Sequence, residues 1–127
     1  MKKQKHKPVA LTQICFEDSG CEAGNGDYWK ATTLYDAAKK QKCKIYRLPV
    51  EHIDLTDMPF DVRNVYGFAY HTKRMMDTDL KYPVLVGPLG GILDGWHRVA
   101  KALFEKRTYV KAIKLDVLPD PDEQRKT

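Results

Sequence analysis

The sequence lacks any long hydrophobic run. No stretch approaches the roughly 18 consecutive apolar residues that would mark a membrane-spanning helix. The basic start, residues 1–7, leads into a short apolar stretch at 9–16, which Thr12 and Gln13 interrupt, so a secretory signal is not indicated either. These absences predict a soluble, unexported protein of the cytoplasm with no membrane partner.

The chain is also poor in cysteine. It has three, Cys15, Cys21 and Cys43, and no close C-x-x-C pair. This pattern excludes a complete disulfide framework and a standard zinc site, and it favours free thiols in a reducing compartment. A three-thiolate site stays open because Cys15 and Cys21 could meet across a turn. Zinc normally needs a fourth ligand, however, so no metal-binding residue is assigned.

Acidic residues are outnumbered by basic ones, and the formal net charge is +5. Most of this excess comes from the lysines before residue 8, so the rest of the chain is not a generally basic nucleic-acid binder. Two segments are nevertheless basic, because 30–47 and 98–114 each carry six basic residues against one acidic residue. If the two segments share a face in the fold, they form a local anion site. The alternative is a pair of solvated helix faces.

The length of the chain, 127 residues with 43% hydrophobic content, allows one core and is too short for two ordinary domains. Residues 1–8 are polar and lysine-rich, whereas 119–127 begin with Pro-Asp-Pro-Asp and contain no large apolar residue. We therefore predict one domain over 9–118, with a flexible basic tail at 1–8 and a flexible C-terminal tail at 119–127.

Hydrophobic periodicity predicts an α/β (α+β) domain in which helices flank a small mixed sheet. Helices are expected from Thr32 or Thr33, either of which could be the N-cap, and over 62–76 and 96–104. Strands are expected over 9–16, 44–49 with a continuation at 50–55, 84–86, 92–93 and 109–115. The wholly apolar segment 84–86 is typical of a strand that is buried on both faces.

The motif Asp94-Gly95-Trp96-His97-Arg98 lies where a predicted strand turns into a predicted helix. Unpaired backbone N–H groups and the positive end of a helix attract anions at such a turn. Glycine lets an anion approach the main chain, and arginine can bind two of its oxygens at once. The motif therefore predicts a phosphate site in which Asp94 caps the helix or holds a cation or a hydroxyl group.

A purely structural interpretation of this motif is open. Asp94 would then be only a helix cap, and His97 and Arg98 would be surface residues of a helix that is buried through its apolar positions. Two other signals are weaker. His52 and His71 lack a spacing partner for a metal and are interpreted as surface histidines. The triplet 28–30, Tyr-Trp-Lys, forms either an aromatic and basic nucleic-acid surface or a plug in the core.

From residue 82 to 115 the sequence resembles the ParB/sulfiredoxin superfamily. The family pattern is an apolar strand after proline, a glycine turn, an isoleucine-rich strand, a Gly-x-[Arg/His]-Arg helix start, an alanine-rich helix and a further strand. The corresponding pieces are Tyr82-Pro83-Val84-Leu85-Val86, Gly90-Gly91, Ile92-Leu93, Gly95-Trp96-His97-Arg98, Val99-Ala100-Lys101-Ala102-Leu103 and Val110-Lys111-Ala112-Ile113. Small phage and bacterial proteins with an Asp-Gly-x-His-Arg core are the nearest likeness.

The resemblance implies a nucleotide that is bound through its phosphates, since partitioning ParB proteins bind CTP and sulfiredoxins bind ATP. It therefore implies ATP or CTP with Mg²⁺ as the cofactor. In the free-serine kinase branch an aspartate before the glycine is associated with catalysis, which makes Asp94 the candidate catalytic residue. The ligand-binding and phosphate-binding residues implied are Gly91, Gly95, Trp96, His97, Arg98 and Lys101.

The chain departs from the family at Trp96, where partitioning proteins have an acidic residue and sulfiredoxins their reactive cysteine. Tryptophan can neither coordinate Mg²⁺ nor attack a sulfinyl phosphate, so sulfiredoxin activity is not expected. Its ring could stack on a base or pack into the core.

The main prediction is a protein that binds a nucleotide or another phosphorylated ligand at this turn, with phosphotransfer or hydrolysis left open. The alternative is a non-catalytic module that binds nucleic-acid backbone weakly, through the same turn and the lysines of residues 2–7. The charge distribution and the resemblance do not decide the base, the reaction or the oligomeric state.

Overall fold

The computed structural model describes residues 20–56 and 58–125. The predicted strand 9–16, the basic tail and Cys15 lie outside the described residues. The elements form an α+β fold, as the periodicity predicts. In chain order they are β1 (Gly20–Glu22), β2 (Asp27–Lys30), α1 (Ala31–Lys40), β3 (Ile45–Pro49), α2 (Val65–Asp77), β4 (Val84–Val86), β5 (Ile92–Asp94), α3 (Trp96–Phe104), β6 (Tyr109–Lys114) and β7 (Glu123–Gln124).

The main sheet has the strand order β3-β6-β4-β5 and is mixed. β4 runs parallel to β6, whereas the pairs β3–β6 and β4–β5 are antiparallel. Parallel strands need a crossover connection, and β5 and α3 provide it between β4 and β6. This crossover places the strand-to-helix turn at residues 94–96 beside the start of β4.

Two apolar clusters cover the two faces of β4, as the wholly apolar sequence of 84–86 predicts. Val84 and Val86 belong to the cluster that includes Val99 and Ala102 of α3. Leu85 points to the opposite face, into the cluster with Leu34 of α1. Each fully buried side chain of this size stabilises the fold by roughly 1.5–3 kcal/mol, so the two clusters hold both helices on the sheet.

A second sheet of order β1-β2-β7 forms beside α1. The structure differs here from the predicted tail at 119–127, because β7 pairs with β2. Trp29 Nε1 donates to Pro119 O at 2.8 Å, and Arg125 N donates to Gly26 O at 2.8 Å. Trp29 is buried, so its ring packs in the core. For this residue, the core interpretation of 28–30 is the correct one. The folded domain therefore includes residues 119–125.

The start of α1 also differs from the sequence prediction. The helix begins at Ala31, and its N-cap residue, Lys30, makes no side-chain cap hydrogen bond. The carboxylate of Asp122 accepts hydrogen bonds from Lys30 N at 2.8 Å and from Thr33 Oγ1 at 3.0 Å. Thr32 or Thr33 as the cap was therefore wrong, because the helix begins before both of them and the hydroxyl of Thr33 donates to Asp122 instead.

Two other boundaries are corrected. The predicted strand continuation at 50–55 is a 3-10 helix at Val50–His52. α2 begins at Val65 rather than at 62, because Asn64 caps it by accepting from Gly67 N at 2.8 Å. In the ranges 20–56 and 58–125, no helix has the length and apolar character needed to cross a membrane.

Candidate functional site

The turn between β5 and α3 depends on a glycine. Gly95 has φ +105° and ψ +19°, a left-handed conformation that residues with a Cβ rarely adopt. A Cβ at this position would lie 2.8 Å from Val84 Cγ1, inside contact distance. From the sequence, Gly95 was predicted to let an anion approach the main chain. In the structure the missing side chain makes room for β4, so Gly95 is required for the close packing of α3 on the sheet.

The first turn of α3 leaves two backbone donors for a ligand. Arg98 N and Val99 N both donate to Gly95 O, at 2.9 Å and 3.1 Å. The N–H groups of Trp96 and His97 have no acceptor among the described residues. The positive end of a helix and its unpaired N–H groups favour an anion at this position.

Asp94, the predicted catalytic residue, is held by Tyr35 of α1. Tyr35 Oη donates to Asp94 Oδ2 at 3.0 Å and lies 3.3 Å from Pro83 O. Burial, and then the negative charge of Asp94, raise the pKa of Tyr35, so its hydroxyl stays protonated and donates. The other oxygen, Asp94 Oδ1, has no hydrogen-bond partner in the described part of the chain. Asp94 is therefore oriented by one oxygen and open at the other.

Arg98, a predicted phosphate ligand, is engaged within the protein. Its Nη1 donates to Pro83 O at 3.2 Å, and it also interacts with the hydroxyl of Tyr35. Its Nε is buried without a partner in the described ranges. Arg98 thus joins α3 to the strand start at Pro83 and to the hydroxyl that holds Asp94. The structure favours a positioning role for this guanidinium over direct contact with a ligand.

The thiol of Cys21 lies near the same turn, although the two are far apart in sequence. Burial, and then the charge of Asp94, raise the pKa of Cys21. A thiol with a raised pKa is a poor nucleophile at neutral pH. The absence of sulfinic-acid repair, expected from Trp96, stays a prediction.

A cleft of about 270 Å³ opens on the side of the turn that faces α2. Asp94 and His97 line one wall, and His71 and Arg74 of α2 line the other, with Phe60 between them. His71 Nδ1 lies 3.0 Å from His97 Nε2, and the two nearly coplanar rings meet edge to edge with their centroids 5.2 Å apart. Phe60 packs on both rings, with centroids 5.0 Å from His71 and 4.5 Å from His97.

Both histidines lose basicity in this environment. Burial lowers the pKa of His97 to about 4, with further effects from the positive charges of Arg74, His71 and Arg98. Burial and Arg74 also lower the pKa of His71, and Asp61 opposes them. At neutral pH the two rings are therefore uncharged, and one donates its ring proton to the other.

Arg74 supplies the positive charge of the cleft. Within residues 20–56 and 58–125, no carboxylate forms an ion pair with it. Its guanidinium lies 5.9 Å from the centroid of the Tyr70 ring and lowers the pKa of both histidines. Its neighbour Lys73, by contrast, forms an ion pair with Asp77. A guanidinium without a counter-ion is thus placed in the cleft that receives the end of α3.

The remaining predicted ligand residues lie elsewhere. Lys101 Nζ donates to Met76 O at 3.0 Å and to Thr78 O at 2.6 Å, so it satisfies the C-terminal carbonyl groups of α2. Gly91 lies at the other end of β5, in a separate cleft. Trp96 packs against the cluster of Val84 and also borders both clefts.

Sequence reasoning missed three residues of the cleft. His71 and Arg74 are three positions apart on α2, a spacing that places them on one helix face. The sequence shows this spacing, but the spacing indicates a shared site only when α2 is known to pack against α3. Phe60 lies in an irregular segment before α2, and no sequence pattern marked it.

No group of three or more His, Cys, Asp or Glu side chains that could hold a metal ion occurs in the described ranges. Comparisons of the chain with protein-family models, with curated proteins and with solved structures give no match. The resemblance to the ParB/sulfiredoxin superfamily therefore stays a prediction. The order of elements from β4 to β6 is the one that this resemblance implies.

Proposed function

We propose that the protein binds the phosphate end of a nucleotide, or of another phosphorylated small molecule, in the cleft between α2 and the start of α3. The observation that carries this proposal is the position of Arg74. Its unpaired guanidinium lines the same cleft as the turn whose N–H groups, at Trp96 and His97, have no acceptor among the described residues. A guanidinium and a helix N-terminus that converge on one space form a binding site for an oxyanion.

The histidine pair shapes this site without adding charge. Since His71 and His97 are neutral at pH 7, one of the rings can donate a hydrogen bond to a phosphate oxygen. Their packing against Phe60 limits how far either ring can move. An anion that binds beside His97 favours its protonated form, so binding would reverse part of the depression of the pKa of His97.

The size of the cleft limits how much of a ligand it can enclose. Its volume of about 270 Å³ lies just below the range of roughly 300–1,000 Å³ that is usual for small-molecule sites. We therefore expect the phosphate groups to be enclosed and the rest of the ligand to remain near the surface. Trp96, at the border of the cleft, is the residue placed to contact a base or a sugar.

Asp94 is the candidate for Mg²⁺ binding and for catalysis. Mg²⁺ usually takes one or two carboxylates and completes its shell with phosphate oxygens and water, so a single open carboxylate oxygen fits that requirement. When bound, Mg²⁺ would neutralise charge on the phosphate oxygens. Tyr35 holds the Asp94 side chain in one orientation, which both phosphotransfer and hydrolysis need.

The resemblance to the ParB/sulfiredoxin superfamily supports a nucleotide as the ligand, with ATP and CTP as the first candidates. In the function proposed here, Arg74 takes the role of phosphate ligand that the motif gave to Arg98.

Calorimetric titration with ATP, CTP, ADP and pyrophosphate, with and without Mg²⁺, tests the proposal. Arg74→Gln should weaken binding about tenfold to a hundredfold, since a charge-assisted hydrogen bond contributes roughly 1.5–3 kcal/mol. Lys73→Gln is the matched control, because it removes the same charge from the neighbouring residue, which pairs with Asp77 instead. Equal losses in the two variants, or no binding by the wild type, would contradict the proposal.

A further inference from the structure

The two basic segments of the sequence meet in the main sheet, on a surface separate from the cleft of Arg74. β3, from the first segment, pairs antiparallel with β6, from the second. Arg47 lies directly opposite Lys111 in this pairing, so the two side chains project from the same face of the sheet. Both residues are exposed. The two segments share a face only at this strand pair, because α1 and α3, which carry other cations of the two segments, pack on opposite faces of the sheet.

This pair of cations has no counter-ion in the described part of the chain. Neither Arg47 nor Lys111 forms an ion pair with a carboxylate there. Like charges directly opposite each other on neighbouring strands destabilise a sheet. The arrangement therefore does not serve the stability of the fold, and an anionic partner would remove its cost.

The surface formed by Arg47 and Lys111 adjoins a cleft of about 460 Å³ at the start of β6. The cations that line it include Lys81, Lys106 and Arg107. Lys81 and Arg107 are partly neutralised, because they pair with neighbouring carboxylates at 3.7 Å and 3.2 Å. Lys106 and Lys111, which both line this cleft, have no such partner among the described residues, so the cleft carries unpaired positive charge next to Arg47.

Aromatic rings alternate with these cations. The guanidinium of Arg47 lies 4.5 Å from the centroid of the Tyr109 ring, and Lys81 Nζ lies 5.0 Å from that of Tyr82. Tyr109 is 39% exposed and Tyr82 is 53% exposed, so both rings are accessible. Exposed aromatic faces between backbone-binding cations are the combination used to bind unpaired bases.

We infer that this surface, formed by Arg47, Lys81, Tyr82, Lys106, Tyr109 and Lys111, binds single-stranded nucleic acid. Lysine and arginine would contact successive phosphates, and the tyrosine rings would stack on bases. A duplex keeps its bases stacked inside, so the tyrosines could not reach them. The cations lie on two paired strands and along an adjoining cleft, which matches a linear polyanion better than the scattered carboxylates of a folded acidic protein.

Fluorescence anisotropy of the full chain with a labelled single-stranded oligonucleotide tests this inference. Arg47→Gln/Lys111→Gln should weaken binding at least about tenfold and reduce the dependence of log affinity on log salt by about 1.4, for two phosphate contacts on a single strand. The control Arg63→Gln/Lys73→Gln removes the same charge from the α2 side, where both residues pair with aspartates. It should retain most of the affinity.

A second variant separates a binding surface from a structural role. Lys111→Glu should raise the melting temperature, because an opposite charge then faces Arg47, and at the same time abolish oligonucleotide binding. Equal weakening in both charge-neutralised pairs would overturn the inference, and so would tighter binding to duplex than to single strand. Binding to anionic vesicles in the absence of any binding to oligonucleotide would also overturn it.

Discussion

His71 Nδ1 lies 3.0 Å from His97 Nε2, so only one of these two nitrogens can carry a proton without repulsion. The pair joins α2 to α3 across the cleft, and neither helix presents a carboxylate to it. The contact therefore forms when at least one of the two rings is neutral, and it is lost when both rings are protonated. It fixes the relative position of the residues that we propose to bind phosphate, and it makes that position sensitive to pH.

We expect the protein to lose stability as the pH falls from about 6.5 towards 4. Unfolded His97 binds a proton near its ordinary pKa of 6.5, whereas burial lowers its pKa in the folded state to about 4. The unfolded state therefore binds more protons in this window, and the free energy of unfolding decreases as the pH falls. The full shift would correspond to about 3 kcal/mol, but His97 is partly exposed, so we expect about 1–2 kcal/mol.

Urea unfolding at a series of pH values measures this effect. His97→Gln should flatten the pH dependence between 6.5 and 4. His52→Gln is the control, because His52 is exposed and is not part of the pair formed by His71 and His97. An unchanged slope in His97→Gln would show that other groups cause the pH dependence.

Alanine variants of Gly95, Gly90 and Gly91 test whether each glycine is needed for packing or for the approach of a ligand. Gly95→Ala should cost on the order of 2–4 kcal/mol, since it combines a left-handed φ with a clash against Val84. Gly90→Ala should cost about 1 kcal/mol, because its φ is +95° but the space around it is open. Gly91→Ala, with no atom within 4 Å of the new Cβ, should change stability by less than about 0.5 kcal/mol.

Chemical denaturation of the three variants gives the ranking directly. Loss of phosphate binding in a stable Gly91→Ala protein would support the role implied by the family resemblance and would contradict the placement of the ligand near Arg74.

Arg98→Ala should destabilise the protein by about 1–3 kcal/mol, because it removes the donor to Pro83 O and the contact of the guanidinium with the hydroxyl of Tyr35. Arg74→Ala should change stability by less than about 0.5 kcal/mol and weaken phosphate binding instead. Urea unfolding and calorimetry on both variants separate the two roles. A fully stable Arg98→Ala that no longer binds phosphate would restore the interpretation drawn from the sequence motif.

The strands and helices around the turn between β5 and α3 could be predicted from the sequence, because local patterns determine them. The apolar run at 84–86 and the helical period at 96–104 needed no knowledge of the rest of the chain. β7 was missed because Glu123 and Gln124 have no strand signal of their own, and pairing with β2 alone makes them a strand. The role of Asp122 as the acceptor at the start of α1 depends on the same long-range contact.

The candidate site was likewise predicted only where local sequence patterns determine it. The motif identified the correct turn, but a side chain's direction depends on its distant neighbours. Arg98 turns to Pro83 and Lys101 to the end of α2, and both of these contacts form only after the chain has folded. His71 was interpreted as a surface histidine because its partner, His97, comes from another helix.

Asp94→Asn tests whether the carboxylate has a chemical role. The amide oxygen of asparagine can still accept the hydrogen bond from Tyr35, so stability should change by less than about 1 kcal/mol. The negative charge is lost, and we therefore expect nucleotide affinity to become independent of Mg²⁺, and any phosphotransfer or hydrolysis to fall at least about a hundredfold.

Tyr35→Phe is the complementary control, because it removes the hydrogen bond and keeps the carboxylate. It should lower stability and leave the Mg²⁺ dependence in place. Titration of ATP and CTP into the wild type and both variants, with and without Mg²⁺, distinguishes these outcomes. A Mg²⁺ dependence that persists in Asp94→Asn would mean that the ion is held by the phosphates alone and that Asp94 only anchors the turn.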